Sequence, residues 1–162
     1  MIPTHIAEVE NELPAACTLD ELPSLEQLEQ QGLLEYVDLE TMYLDHVEEN
    51  FDLAAIRNAD IQLAYDAMYG AGQNAVMKLF PKAHFLHCEF NPSFHGQAPE
   101  PIHRNLGELS DLIKKDPAIT LGLANDGDAD RIGLYDENGE FVDSHHILLL
   151  LLLYMYQYKK QT

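Results

Sequence analysis

Basic side chains are scarce in this sequence: Lys and Arg number 9 against 28 Asp and Glu, for a formal charge of −19 over 162 residues. Nucleic acid and anionic membranes are held by basic patches that neutralise phosphate, so the deficit argues against both as partners. Cysteine is nearly absent as well. The two present, Cys17 and Cys88, show neither metal nor redox spacing, and the opening residues lack a charged-then-apolar leader pattern. A reducing cytoplasm is the expected setting. Long apolar runs are missing too: Ile147 to Tyr156 includes six consecutive leucines but covers only ten residues, whereas a membrane span takes about 20. That run is expected to form a buried helix.

What the chain does have is acidic oxygen, concentrated in one place. Asp126-Gly127-Asp128-Ala129-Asp130-Arg131 sets three carboxylates at i, i+2 and i+4 with a guanidinium straight after. Like charges so close raise one another's pKa, and a bound divalent cation removes the conflict. A hard cation such as Mg²⁺ or Ca²⁺ takes oxygen ligands, and three carboxylates supply half an octahedral shell. In a straight strand the i and i+2 side chains would stand roughly 6–7 Å apart, so the loop has to curl; Gly127 is the residue expected to permit it. The plain alternative is a solvated acidic turn.

The flanks place this loop. Residues 1–32 are acidic and broken by Pro3, Pro14 and Pro23, which rules out a long helix there. They read as an arm or interdomain link, with Met1-Ile2-Pro3 resembling a cut end, and Ser24 with Gln27 predicts a capping box for a short helix ending at Gly32. Residues 33–162 read as one α/β domain. Asp38 to Phe51 has Leu44, Val47 and Phe51 at helical spacing, predicting a helix with one core face. His46 within it reads as a surface residue. Ile61–Met68, Ala83–Phe90 and Ile119–Ala124 read as strands, separated by helices that end at Pro81 and Pro117. The second of these carries Leu106, Leu109, Leu112 and Ile113 on one face. This alternation predicts parallel pairing. Ile132–Tyr135 and Glu140–Val142 flank an Asn-Gly turn and predict a hairpin, its first strand returning antiparallel. Asp143 or Ser144 then caps a last helix reaching about Lys160. The expected architecture is a three-layer α/β sandwich on a mixed, mostly parallel four-stranded sheet, with the Gly70 and Asp126 loops both at strand carboxyl ends.

Other motifs compete for the function. Gly70-Ala71-Gly72-Gln73-Asn74-Ala75 fits a dinucleotide turn, with Glu89 as a ribose-binding acid; the alternative is a glycine turn for close strand-to-helix packing. Asp126, Asp128, Asp130 and Glu137 occupy positions 1, 3, 5 and 12 of a calcium loop, but Arg131 stands where its glycine is required. Ser93 near His95, and Ser144 beside His145 and His146, lack an oxyanion-hole pattern and read as loop and cap. The histidines show no metal-ligand spacing, and His84 and His87 would point to opposite faces of a strand.

The aspartate loop after an apolar strand resembles the magnesium loop of the α-D-phosphohexomutases, the phosphoglucomutase and phosphomannomutase enzymes. Tyr65-Asp66-Ala67-Met68-Tyr69-Gly70-Ala71-Gly72, Pro99-Glu100-Pro101 before Asn105-Leu106, and the leucine-rich helix extend the likeness over roughly residues 33–160. The resemblance implies the second, Mg²⁺-holding domain of a four-domain enzyme. Asp126, Asp128 and Asp130 would be its metal ligands, and Arg131 its catalytic residue beside a phosphoserine phosphate. The reaction implied is phosphoryl transfer between the 1- and 6-positions of a hexose phosphate. The family's Ser-His-Asn-Pro and Gly-Glu-x-Ser-Gly loops are absent from this sequence, so the chain alone is expected to be inactive, with the enzyme's other domains as partners. The alternative is a stand-alone dinucleotide- or divalent-cation-binding module.

Overall fold

The structure, a computed structural model, describes residues 3–14 and 23–160. Two units divide between Asp38 and Leu39. The first holds α1 (Pro3–Asn11) and α2 (Leu25–Gln30). Proline suits the first position of α1 because that N–H has no partner in any helix, and the helix stays short, nine residues ending before Pro14, as the prolines predicted. In α2 the capping box is present as read: Ser24 Oγ accepts from Gln27 N–H at 3.2 Å, and Gln27 Oε1 accepts from Ser24 N–H at 2.9 Å. The helix ends as predicted at Gly32, whose φ of 69° lets Leu33 N–H reach the Leu28 carbonyl at 2.9 Å. Cys17 lies outside the described residues.

The second unit is built on one sheet. Its strands are β1 (Leu63–Asp66), β2 (His84–Leu86), β3 (Leu121–Asn125), β4 (Ile132–Tyr135) and β5 (Phe141–Val142), in the spatial order β2-β1-β3-β4-β5. The pairs β1–β2 and β1–β3 are parallel, while β3–β4 and β4–β5 are antiparallel, as the order of elements predicted. The sheet has five strands rather than the expected four. Phe141–Val142, short as it is, pairs with Tyr135 and Leu134 and so completes an edge of its own. In the hairpin turn Asp136 accepts from the N–H groups of Asn138 and Glu140, and Gly139 takes a φ of 70°.

Alternation along β1 and β3 sorts the side chains onto two faces. Ala64 and Ala124 face α6 (Gly107–Lys115) and join Leu106, Leu109, Ile113, Ile119 and Tyr135 in the core. A Cβ at Gly122 would stand 2.6 Å from Ile113 Cδ1, so the missing side chain sets how closely α6 approaches. Tyr65 points the other way, is fully buried, and meets Gly72 at the start of α5 (Gln73–Leu79). On that side Glu40 of α3 (Leu39–Asn50) bonds to Asn74 and pairs with Lys78 of α5. The short helix α4 (Leu53–Asn58), capped by Asp52 and not anticipated from the sequence, ties Arg57 Nε to the Leu79 carbonyl at 3.0 Å. Helices thus lie on both sides of the sheet.

Two expectations about burial fail. Phe51, assigned to the core face of α3, is 61% exposed, and no residue of that helix is buried. The last helix, α7 (Ser144–Gln157), is capped by Asp143 as predicted but also buries no residue; Leu148 to Leu153 are 47–63% exposed. A helix apolar all round is suited to burial on any side, yet among the described residues none covers these leucines. Among the described residues no helix is long and apolar enough to cross a membrane.

Candidate metal centre

β3 delivers the chain to the aspartates at its carboxyl end. Asn125 closes the base of the loop: its Nδ2 donates to the Arg131 carbonyl at 2.8 Å, and its Oδ1 accepts from the Tyr65 hydroxyl at 3.2 Å. Within the loop the curl is made by Ala129, held at φ 63°, where Ala129 N–H reaches the Asp126 carbonyl at 3.1 Å. Gly127, expected to make the curl, serves instead as a close-packing point, since a Cβ there would lie 3.0 Å from Pro99 Cγ and 3.6 Å from the Phe94 ring.

The curl brings Asp126, Asp128 and Asp130 together, each offering an oxygen within 4.8 Å of the others. Asp126 is 1% exposed; the other two face solvent. Burial alone would raise the Asp126 carboxyl, but the backbone N–H of Arg131 at 3.0 Å and its Nε at 2.6 Å overcome that and hold it at about 2. Asp130 moves the other way, raised first by the charge of Asp128 and then by Asp126. The mutual repulsion read from the sequence therefore shows at exposed Asp130, while buried Asp126 is kept ionised by Arg131. The guanidinium also lies 3.8 Å from Glu100 and 3.9 Å from Asp130. Hard oxygen donors in this grouping fit a cation such as Mg²⁺, and the exposed pair can adjust by rotamer to close on it.

The loop is held from outside by the turn after β1. Ala71 N–H donates to the Gly127 carbonyl at 3.0 Å. A Cβ at Gly70 would sit 2.6 Å from the Asp126 carbonyl and 2.8 Å from that of Gly127, and one at Gly72 would collide with the Tyr65 hydroxyl. The two loops thus face the same side, as their positions at strand ends predicted, and the glycines of the dinucleotide-like motif are occupied by packing. Glu89 is exposed, 3.5 Å from His95 Nε2. Glu137 stands in the β4–β5 turn, and strands rather than helices flank the aspartates. Ser93 hydroxyl donates to Asn91 Oδ1 in its loop, and His145 and His146 donate backbone N–H groups to the Asp143 cap.

Beside the loop lies a cleft of about 450 Å³, lined in part by Tyr69, His87, Phe94, His95, Pro99 and Glu108. Behind its wall is a pairing that no spacing in the sequence signals: buried Asp66 with the lining residue His87, whose Nδ1 is 2.9 Å from both carboxylate oxygens. The two are 21 residues apart; only the parallel register that sets Asp66 beside Leu86 brings them together.

The sequence model of the family described as "Phosphoglucomutase/phosphomannomutase, alpha/beta/alpha domain II" matches residues 41–139, which hold the whole loop and the sheet up to the hairpin turn. The chain belongs to the phosphoglucomutase/phosphomannomutase family. Among its relatives, the phosphopentomutase of Thermococcus kodakarensis is 29% identical over 110 residues, 65% of this chain and 24% of that protein. The phosphoglucosamine mutase of Methanococcus vannielii is 30% identical over 118 residues, 71% of this chain and 26% of that one. A solved structure described as a putative phosphomannomutase from Thermus thermophilus superposes with a TM-score of 0.67 at 31% identity, covering 76% of this chain and 30% of the other. The chain thus spans about a quarter of the length of the curated relatives it matches. Helix α7 lies beyond the residues matched to the phosphoglucomutase/phosphomannomutase domain.

Proposed function

We propose that this chain is the magnesium-binding part of a cytoplasmic phosphohexomutase, an enzyme that moves a phosphoryl group between the 1- and 6-positions of a hexose phosphate. The observation that carries the reading is the convergence of Asp126, Asp128 and Asp130 on a strand-end loop within a domain of this family. These three carboxylates hold Mg²⁺, which when bound offsets negative charge on the phosphoryl group in transfer. Arg131 has two tasks. It keeps Asp126 ionised, and it presents the remainder of its half-exposed guanidinium beside the site, where a phosphate oxygen can be received. The phosphoserine and the sugar-reading groups belong to other domains of the enzyme, with which this unit works as a partner.

Calorimetric titration of the chain with Mg²⁺ tests this. Weak, saturable binding is expected, lost in Asp128→Asn, together with no turnover of glucose 1-phosphate or mannose 1-phosphate by the chain alone. Unchanged binding in Asp128→Asn would place the ion elsewhere, and turnover would show that the chain is catalytically complete.

A further inference from the structure

The turn that leads from β1 to the glycines is unusual in its backbone. Met68 and Tyr69 have φ of 47° and 61°, and His87, which faces them from the end of β2, has 50°. None of these is glycine, and each such conformation costs free energy that the surroundings must supply. The surroundings here are specific. Asp66, 1% exposed, accepts from Met68 N–H at 2.8 Å, an Asx turn that fixes the backbone entering the left-handed step. Both its oxygens also lie against His87 Nδ1, and the His87 carbonyl accepts from Tyr69 N–H at 2.9 Å. The Tyr69 ring lies 4.8 Å from the His87 ring. Asp66 and His87 therefore clamp two consecutive residues in a conformation they would not keep alone.

The next two residues are the ones that touch the aspartate loop. Gly70 abuts the Asp126 and Gly127 carbonyls, and Ala71 N–H holds the Gly127 carbonyl. A rotation at Met68 or Tyr69 would swing both away. We infer that Asp66 and His87 are positioning residues for the cation: by fixing the Met68–Tyr69 turn they hold Gly70 and Ala71 against the aspartate loop and keep its three carboxylates converged. This rests on the metal-binding reading above. It extends the site to a buried carboxylate and its partly exposed histidine partner, outside the three aspartates.

Coupling of this kind is reciprocal. If the clamp favours the cation-competent loop, the cation must stabilise the clamp. If loss of the clamp leaves the loop competent about a tenth of the time, apparent affinity falls about tenfold. The test uses the full chain and Mn²⁺ as a paramagnetic stand-in for Mg²⁺, reading free ion by electron paramagnetic resonance. His87→Ala is expected to weaken Mn²⁺ about tenfold. His87→Asn, which keeps a donor at the Nδ1 position and tolerates positive φ, is expected to restore most of the affinity. A purely structural role would lower melting temperature in both variants without separating their affinities. Should His87→Ala not fold, the parent decides: adding Mg²⁺ should slow amide hydrogen exchange at Met68, Tyr69 and Ala71. Cation binding in the parent with equal affinities in all folded variants, or with no change in exchange, overturns the clamp and leaves the metal site standing. No binding in the parent overturns both.

Discussion

Replacing Arg131 by Ala should expose how the buried aspartate is kept charged. In the parent, Asp126 is held at about 2 against an ordinary value of 3.8, with Arg131 Nε 2.6 Å from Oδ2. A carboxyl titrating lower in the folded than in the unfolded chain adds stability above its unfolded value, and loses it as pH falls through the folded one. Carrying the titration from 3.8 down to about 2 would be worth roughly 2.4 kcal/mol unscreened. The loop sits at the rim of the domain with two exposed neighbours, so solvent screening brings the figure to about 1–2 kcal/mol. Arg131→Ala removes the guanidinium and leaves the backbone N–H of residue 131 as the remaining donor from that position. That N–H is the larger of the two donors holding Asp126 down and survives the change, so urea denaturation of parent and variant should differ by only part of that figure, about 1 kcal/mol at pH 7. The gap should close between about pH 4 and pH 2 as Asp126 protonates in the parent. A carbon-detected titration of the Asp126 carboxyl should show it rising in the variant. A stability difference that stays constant down to pH 2, or an Asp126 titration that does not move, would refute the assignment of Arg131 as the group that holds this charge.

Two substitutions of glycine separate the site from the scaffold. Gly70→Ala puts a Cβ 2.6 Å from the Asp126 carbonyl; backbone must shift, so divalent-cation affinity measured by calorimetry should fall with a stability loss of about 1–3 kcal/mol. Gly122→Ala meets Ile113 Cδ1 at 2.6 Å and Tyr135 Cβ at 2.9 Å, in the core under α6 and away from the loop. Denaturant unfolding should show a similar loss of about 1–3 kcal/mol, while cation affinity in the folded protein stays at the parent value.

The glycines around the loop mark the limit of what local spacing can tell. Gly70 and Gly72 matched a nucleotide-binding spacing because spacing reports only that a chain turns sharply between strand and helix. What the turn lies against is set by a segment far along the chain, and here that segment is the aspartate loop. Gly127 was legible as a permissive residue, but the positive φ fell on Ala129, and what requires a glycine at 127 is the Pro99 and Phe94 side chains that claim the space beside it. The leucine run was legible as a helix through its Asp143 cap and its length. Its burial was not, since burial depends on what is near, and a run of identical residues carries no preferred face.

The sequence by itself determined the elements that rest on local physics. Alternating strands and helices required a mostly parallel sheet, Asn138-Gly139 closed a hairpin, Ser24 and Asp143 capped helices, and three aspartates two residues apart marked a candidate cation loop. Tertiary structure decided everything that needed two distant segments at once. It curled the loop so that Arg131 holds Asp126 ionised against the opposing effect of its burial, set the glycine turn against the loop, and brought Asp66 to His87 through the pairing of β1 with β2. Periodicity and capping are encoded within one turn of chain, whereas the charge and shape of this site arise where strand ends from across the sheet converge.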